Sequence, residues 1–262
     1  MNHILAVFSP NHAVSRRVFA LMVAVEILVF WAIWETVPSA MIPRPGQVTE
    51  AFGRLWMEEG LGHELVTSLL LNLEAICLTA AISLALAYLT VLPVVRPLVV
   101  AVSKGRFLGF IGLTFVFTMV FAGGHTLKLA MLVFGMTVFF VTSMADVIVR
   151  IPKENYDLAR TLRMSTWRVV WEVVVLGTMD QAIEVLRQNA AMGWMMLTMV
   201  EGMVRSEGGI GMLLLNQNKH FQLAAVLAIQ VTILCVGLAQ DYAIGVLKSL
   251  LCPYAEMGKE SR

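Results

Sequence analysis

Residues 127–149 read "LKLAMLVFGMTVFFVTSMADVIV", and after Arg150 residues 151–173 read "IPKENYDLARTLRMSTWRVVWEV". The first stretch is apolar over more than the roughly 20 helical residues that cross a hydrocarbon core of about 30 Å. The second is charged, rich in good helix formers and too polar to cross. Mostly apolar chain follows it again. A membrane span that hands over to a polar helical stretch, which then returns to apolar chain, is the pattern of a polytopic membrane protein.

Composition agrees. Hydrophobic residues make up 58% and charged residues 14% of the 262, against about 25% charged in a soluble domain. Six spans are predicted, at about Val18–Val37, Leu65–Leu92, Phe107–Ala122, Leu127–Val149, Asp180–Val200 and Phe221–Leu247. Backbone groups in lipid must be satisfied within the chain, and no alternating ten-residue pattern marks barrel strands. The fold class is therefore all-α. Arg16 and Arg17 precede the first apolar run, and Ser39-Ala40 could pass for a leader cleavage site. The run is too long and too rich in Trp for a leader, so it reads as an uncleaved span. Cys77, Cys235 and Cys252 form no metal-type spacing and read as small buried hydrophobes.

Lys and Arg favour cytoplasmic loops. With the amino terminus inside, Arg16, Arg17, Arg96, Lys104, Arg106, Arg150, Lys153, Arg160, Arg163, Arg168, Lys248, Lys259 and Arg262 lie on the cytoplasmic side. Arg44, Arg54, Lys128, Arg205 and Lys219 lie outside, and Arg187 is embedded in the fifth span. Both termini are then cytoplasmic: a tail over residues 1–17, one membrane domain over 18–254 and a tail over 255–262. The 151–173 stretch is cytoplasmic too. Outside, "PSAMIPRPGQVTEAFGRLWMEEG" (38–60) reads as an extended segment followed by a short surface helix. "GGH" (123–125) reads as a tight turn, and the glycines of "RSEGGIGMLLLNQNKHF" (205–221) as a turn or re-entrant bend.

Within the polar stretch Pro152 suits a first helical position. Leu158, Ala159 and Leu162 fall on one face, with Lys153, Asp157 and Arg160 beside it, and Ser165 suits the N-cap of a second helix. Such a helix fits a groove on another protein, or lies flat on the membrane surface. Elsewhere Asp180, Glu184 and Arg187 share a helix face, so Arg187 can pair with Glu184 or Asp180, either as structure or as part of a pathway. Met192, Met196, Met199 and Met203 form a stripe that reads as core packing or as a compliant gate lining a pathway. Gly105, Gly109 and Gly112 would allow close helix approach. Enzyme signals are poor: the histidines are scattered, no catalytic or metal-binding motif is present, and no GxxxxGK[ST] phosphate loop occurs. Nothing points to nucleic acid.

"PKENYDLARTLRMSTWRVVWEVVVL" resembles the cytoplasmic loop of the permease subunits of ABC importers, which carries a Glu-Ala-Ala…Gly pattern. Asp157 stands in the Glu place, Leu158 and Ala159 in the Ala places and Arg163 in the Gly place. Arg160, Thr161, Leu162, Ser165 and Trp167 also read as that family does. "MIPRPGQVTEAF", "HELVTSLLLNLEAI" and "GGIGMLLLNQNKHFQLAAVLAIQVTILCVGLAQDYAIGVLKSLLCPY" extend the likeness over roughly residues 40–254, toward the nitrate, taurine and alkanesulfonate type.

The resemblance implies a type I importer fold in the bacterial inner membrane, with the loop at about 150–173 coupling to ATP-binding cassette subunits that hold ATP and Mg. It implies a second permease copy, identical or related, and a periplasmic or lipid-anchored solute-binding protein outside. The solute would be a small anion such as nitrate, a sulfonate or taurine, or bicarbonate. Glu201 matches a Glu often found at the outer end of that family's fifth span, where it would bound the outer mouth or form a solvated rim. Arg163, Leu176 and Asp180 depart from the family, which often has Gly, Pro and Pro there, and the third span lacks its prolines. Two other classes compete: a carrier driven by an ion gradient, which would show inverted repeats or matched broken helices, and a membrane-embedded enzyme.

Overall fold

A computed structural model describes residues 15–36, 42–121 and 123–253. The amino-terminal tail, the Ser39-Ala40 site, Ala122 and the carboxyl-terminal tail with Lys259 and Arg262 lie outside the described residues. Among the described residues the chain is helical, without strands. The helices are α1 (Arg16–Thr36), α2 (Pro45–Met57), α3 (Leu61–Leu89), α4 (Arg96–Lys104), α5 (Phe110–Val120), α6 (Gly124–Val149), α7 (Lys153–Thr161), α8 (Thr166–Val169), α9 (Met179–Met203), α10 (Ile210–Lys219) and α11 (Leu223–Leu251).

Among the described residues four helices are long and apolar enough to cross a membrane: Arg17–Thr36, Leu61–Leu89, Gly124–Val149 and Leu223–Leu251. These are the helices of a polytopic membrane protein, and they match four of the six expected spans. The other two differ in instructive ways. The third span, expected over Phe107–Ala122, forms only as the 11-residue helix Phe110–Val120, which meets the preceding Arg96–Phe107 segment at a bend of 116°. Two of the three glycines expected to line one helix instead flank the bend, Gly105 in a 3-10 turn and Gly109 at the α5 N-cap, while Gly112 lies within α5. A Cβ at Gly105 would stand 3.2 Å from Val138, so the bend sits directly on α6. The expected fifth span forms as α9, whose 25 residues reach about 37 Å at 1.5 Å each. Asp180, Glu184, Arg187 and Glu201 make it too polar to count as an apolar span.

α3, α6 and α9 carry the core, with α10 and α11 closing it; Leu132, Leu197, Ile210 and Ile229 are wholly buried. α1 stands apart, and Phe19, Leu28 and Phe30 on it are each more than half exposed. Bare apolar side chains on so much of a helix suit lipid rather than water. α2 begins on Pro45, and the Arg44 N–H donates to Gln47 Oε1 at 2.9 Å, which fixes the helix start.

Between α8 and α9 the chain stays helical but not regular. Val170–Val175 is a π-helix and Leu176–Thr178 a 3-10 turn. Regular winding is thus interrupted here without a proline at position 176. The Thr178 hydroxyl donates to the Val174 carbonyl at 2.7 Å, satisfying an acceptor that irregular winding leaves poorly served.

Candidate functional site

The α7–α8 hairpin starts on Pro152, which sits at the N-cap with extended ψ rather than at the first helical position expected; Lys153 is the first helical residue. α7 then divides its side chains between two faces, and the division corrects the single ridge expected. Ala159 is only 4% exposed and, with half-buried Tyr156, faces the bundle. Leu158 and Leu162, one turn apart, are each 62% exposed and face away. Burial pushes the Tyr156 phenol above its ordinary pKa. Asp157 and Arg160 form an exposed pair at 3.5 Å, which contributes little to stability. The Thr161 hydroxyl donates to the Leu158 carbonyl at 2.7 Å.

The helix ends in a Schellman motif. The Met164 N–H reaches the Ala159 carbonyl at 3.2 Å and the Arg163 N–H reaches the Arg160 carbonyl at 2.9 Å. That closure needs a left-handed residue after the helix, and Arg163 supplies it with φ 54. Arg163 therefore takes up the conformation a glycine would take, Cβ included. Its side chain is exposed, and no salt bridge to it forms among the described residues. Ser165 occupies the N-cap of α8 with extended backbone, as expected, but its hydroxyl makes no capping bond; the Val169 N–H bonds to its carbonyl at 2.9 Å.

At the other end of α6 a second site is built around two carboxylates. The Ser68 hydroxyl donates to Glu201 Oε1 at 2.6 Å and the Gly211 N–H to Glu201 Oε2 at 2.8 Å. The Ile210 N–H donates to Ser68 Oγ at 2.8 Å, and the Gly209 N–H to Glu64 Oε2. Lys128 Nζ donates to the Gly208 carbonyl at 2.8 Å. Glu201 is fully buried and Lys128 2% exposed. Glu201 is therefore not a solvated rim residue: it clamps the start of α10. Gly209 has φ 109, and a Cβ there would overlap the Glu201 carboxylate, so this glycine is required on both counts. A cavity of about 200 Å³ adjoins the clamp, with Glu74, His125, Lys128 and Glu207 in its wall. His125 Nε2 lies 3.0 Å from Glu74.

Along α9 the charged residues find partners on α11. Arg187 binds Asp241 in two-pronged fashion, Nε to Oδ1 at 2.6 Å and Nη2 to Oδ2 at 2.5 Å. Lys248 Nζ donates to Glu184 Oε2 at 2.7 Å, while Glu184 lies 4.0 Å from Arg187. The local pairing expected for Arg187 is thus its weaker contact. Gln240 Oε1 accepts from Asn72 Nδ2 at 3.2 Å and Trp194 Nε1 at 2.9 Å, tying α3, α9 and α11 together.

The methionine stripe does not stay on one surface. Met196 is 6% exposed and packs toward Gly135, and Met203 accepts a weak bond from the Thr114 hydroxyl at 3.8 Å. Met192 is half-buried, whereas Met199 is exposed. A groove of about 470 Å³ runs between α9 and α11, past Trp194, Met195, Thr198 and Asp241.

Ser68, Glu64 and Lys128 were not read from the sequence as parts of a site. The i, i+4 spacing of Glu64 and Ser68 on one face of α3 was the available signal. Among the described residues no group of His, Cys, Asp or Glu is placed to hold a metal ion. The chain matches no protein-family model, and no curated protein sequence matches it either.

Proposed function

We propose that this chain is the permease subunit of a binding-protein-dependent, ATP-driven importer of the ABC type. The observation that carries the reading is α7: a short polar helix held to the bundle by Ala159 and Tyr156, presenting Leu158 and Leu162 to solvent. Two large apolar side chains one turn apart, bare on the outer face, are what a groove on a partner protein takes up. They support insertion into a groove over a helix lying against lipid, because the face turned to the bundle is the other one.

In this reading Asp157, Leu158, Arg160, Thr161, Leu162, Arg163 and Ser165 meet an ATP-binding subunit, which holds the nucleotide and Mg. Closure of two such subunits moves the two α7 helices as rigid bodies, a two-state change biased by ATP. A second permease copy, identical or related, covers the α9–α11 groove, where Asp241 and Arg187 are each about a third exposed. Charges so placed inside a span are costly against lipid and favour a protein or aqueous neighbour. Met192, Met196, Met199, Glu201 and Met203 belong to the helix nearest that pathway. A periplasmic or lipid-anchored binding protein would deliver a small anion at the α10 end, in the bacterial inner membrane.

The test is capture of the chain with its membrane partners. An ATPase that co-purifies with the native chain, and is lost on Leu162→Asp, supports the reading. Uptake by the chain alone, driven by an ion gradient with no ATPase present, would overturn it in favour of a carrier.

A further inference from the structure

On the bundle side of α7 lies a second cavity, of about 570 Å³, within the range that binds small ligands. Thr90 at the end of α3, Arg96, Val99 and Val100 of α4, Ile148 of α6 and Tyr156 of α7 line it. Its wall is mostly apolar, and none of its lining residues is acidic. The acidic neighbours, Asp146, Glu154 and Asp157, are exposed and stand outside the lining. Arg96 is at the mouth: its Nε donates to the Thr90 carbonyl at 3.1 Å, its side chain is exposed, and no salt bridge engages it among the described residues. Two more exposed cations, Lys104 and Arg106, follow on the same bent segment, where Arg106 stacks over Phe107 at 5.2 Å. Leu98, Val100 and Phe107 beside them are more than half exposed, as residues that meet lipid are.

An apolar slot opening beside a cation with no acid opposite calls for a ligand with a hydrocarbon body and an anionic head. We propose that this cavity is a binding site for an anionic phospholipid, one acyl chain lying along Val99, Val100 and Ile148 with the phosphate at Arg96. The bilayer supplies that molecule at this depth, and cationic pockets among membrane helices are where such headgroups settle. Tyr156 makes the site consequential. A lipid in the slot touches α7 on the face opposite Leu158 and Leu162, and so stiffens the support behind the helix that the ATPase would grip. That consequence rests on the importer reading; the site itself needs only a bilayer.

The test uses the full chain in nanodiscs whose two leaflets are alike, so orientation does not enter. One set contains phosphatidylcholine with a trace of photoreactive phosphatidylglycerol, diazirine on the acyl chain; the other has the same label on phosphatidylcholine. Cross-linked peptides are quantified for the segments around Val99 and Ile148, with lipid-facing α1 as internal reference. The anionic probe is expected to label those segments several-fold more than the neutral one, and α1 equally. Arg96→Gln should remove the preference, and Val100→Trp, which fills the slot from an exposed position, should lower labelling by both probes. Equal labelling by the two headgroups, or a preference untouched by Arg96→Gln, would overturn the site. Because no ATPase is present, loss of the importer reading leaves this result standing, and loss of the lipid site leaves ATPase capture unaffected.

Discussion

Arg163→Gly isolates the cost of closing α7 on a residue with a side chain. The left-handed conformation costs an ordinary L-residue about 1–2 kcal/mol, and Arg163 holds φ 54 in the folded chain. Glycine removes that cost but adds about 0.5–1 kcal/mol through the greater freedom of the unfolded segment. The net is a stabilisation of about 0.5–1 kcal/mol. Because Arg163 is exposed and forms no salt bridge among the described residues, little is subtracted for lost contacts. Arg163→Ala is the control: it keeps the Cβ and the strain, so it should sit close to the parent. Native-state hydrogen exchange reads the local opening directly. The Arg163 and Met164 amides, both bonded back into α7, should exchange about two- to five-fold more slowly in the glycine variant. Exchange as fast as the parent's, or equal slowing in the alanine variant, would refute the claim that strain is held at this turn.

Leu162→Asp, at a position 62% exposed, should leave the melting temperature of the detergent-solubilised chain within about a degree and, on the importer reading, abolish capture of an ATPase. A lowered melting temperature would mean that Leu162 packs against the chain itself. Glu201→Ala strands the Ser68 hydroxyl and the Gly211 N–H in a buried site and should cost about 1–3 kcal/mol, seen as a fall in thermal stability. Gly209→Ala should cost at least as much, since the backbone conformation and the Glu201 carboxylate both oppose a Cβ, whereas Gly60→Ala, with φ 68 and open space around it, should cost only the conformational part. Asp241→Asn should lower thermal stability only modestly, since the pair is about a third exposed and screened by solvent, and the exchanged pair Arg187→Asp with Asp241→Arg should recover part of the loss.

Helices α3, α6 and α11 were legible because length and apolarity are local properties that a bilayer turns into structure. The third span was misread for an equally local reason. Its composition is apolar enough, but Gly105 and Gly109 flank a short turn that α6 presses against, and only packing shows that the chain bends there by 116°. The face of α7 was misjudged because periodicity groups Leu158, Ala159 and Leu162 without saying which of them the bundle claims; small Ala159 permits close approach and the leucines do not. Arg187 was given neighbours on its own helix, yet its partner stands 54 residues away on α11, and that of Glu184 is 64 away. Glu201 finds Ser68 at a separation of 133 residues. No local rule reaches such distances, so the paired charges of a span announce that partners exist without naming them.

Taken together, these contacts decide where the molecule can bend. α9 is a single rod of 25 residues, pinned to α11 by the two-pronged Arg187–Asp241 pair and by Glu184–Lys248, and pinned to the start of α10 through Glu201. Opening the clamp alone breaks hydrogen bonds from Ser68 and Gly211 to the buried Glu201 carboxylate and from Gly209 to the half-buried Glu64 carboxylate. At about 1.5–3 kcal/mol for a bond to a charged group, that exceeds the few kcal/mol that usually separate two functional states. The compliant element is the π and 3-10 passage over Val170–Thr178, which is wound irregularly already. On the importer reading, a push on α7 is therefore either absorbed there or passed on to the bundle as one body. The second case places the working motion between two permease copies, along the α9–α11 groove, rather than inside either one.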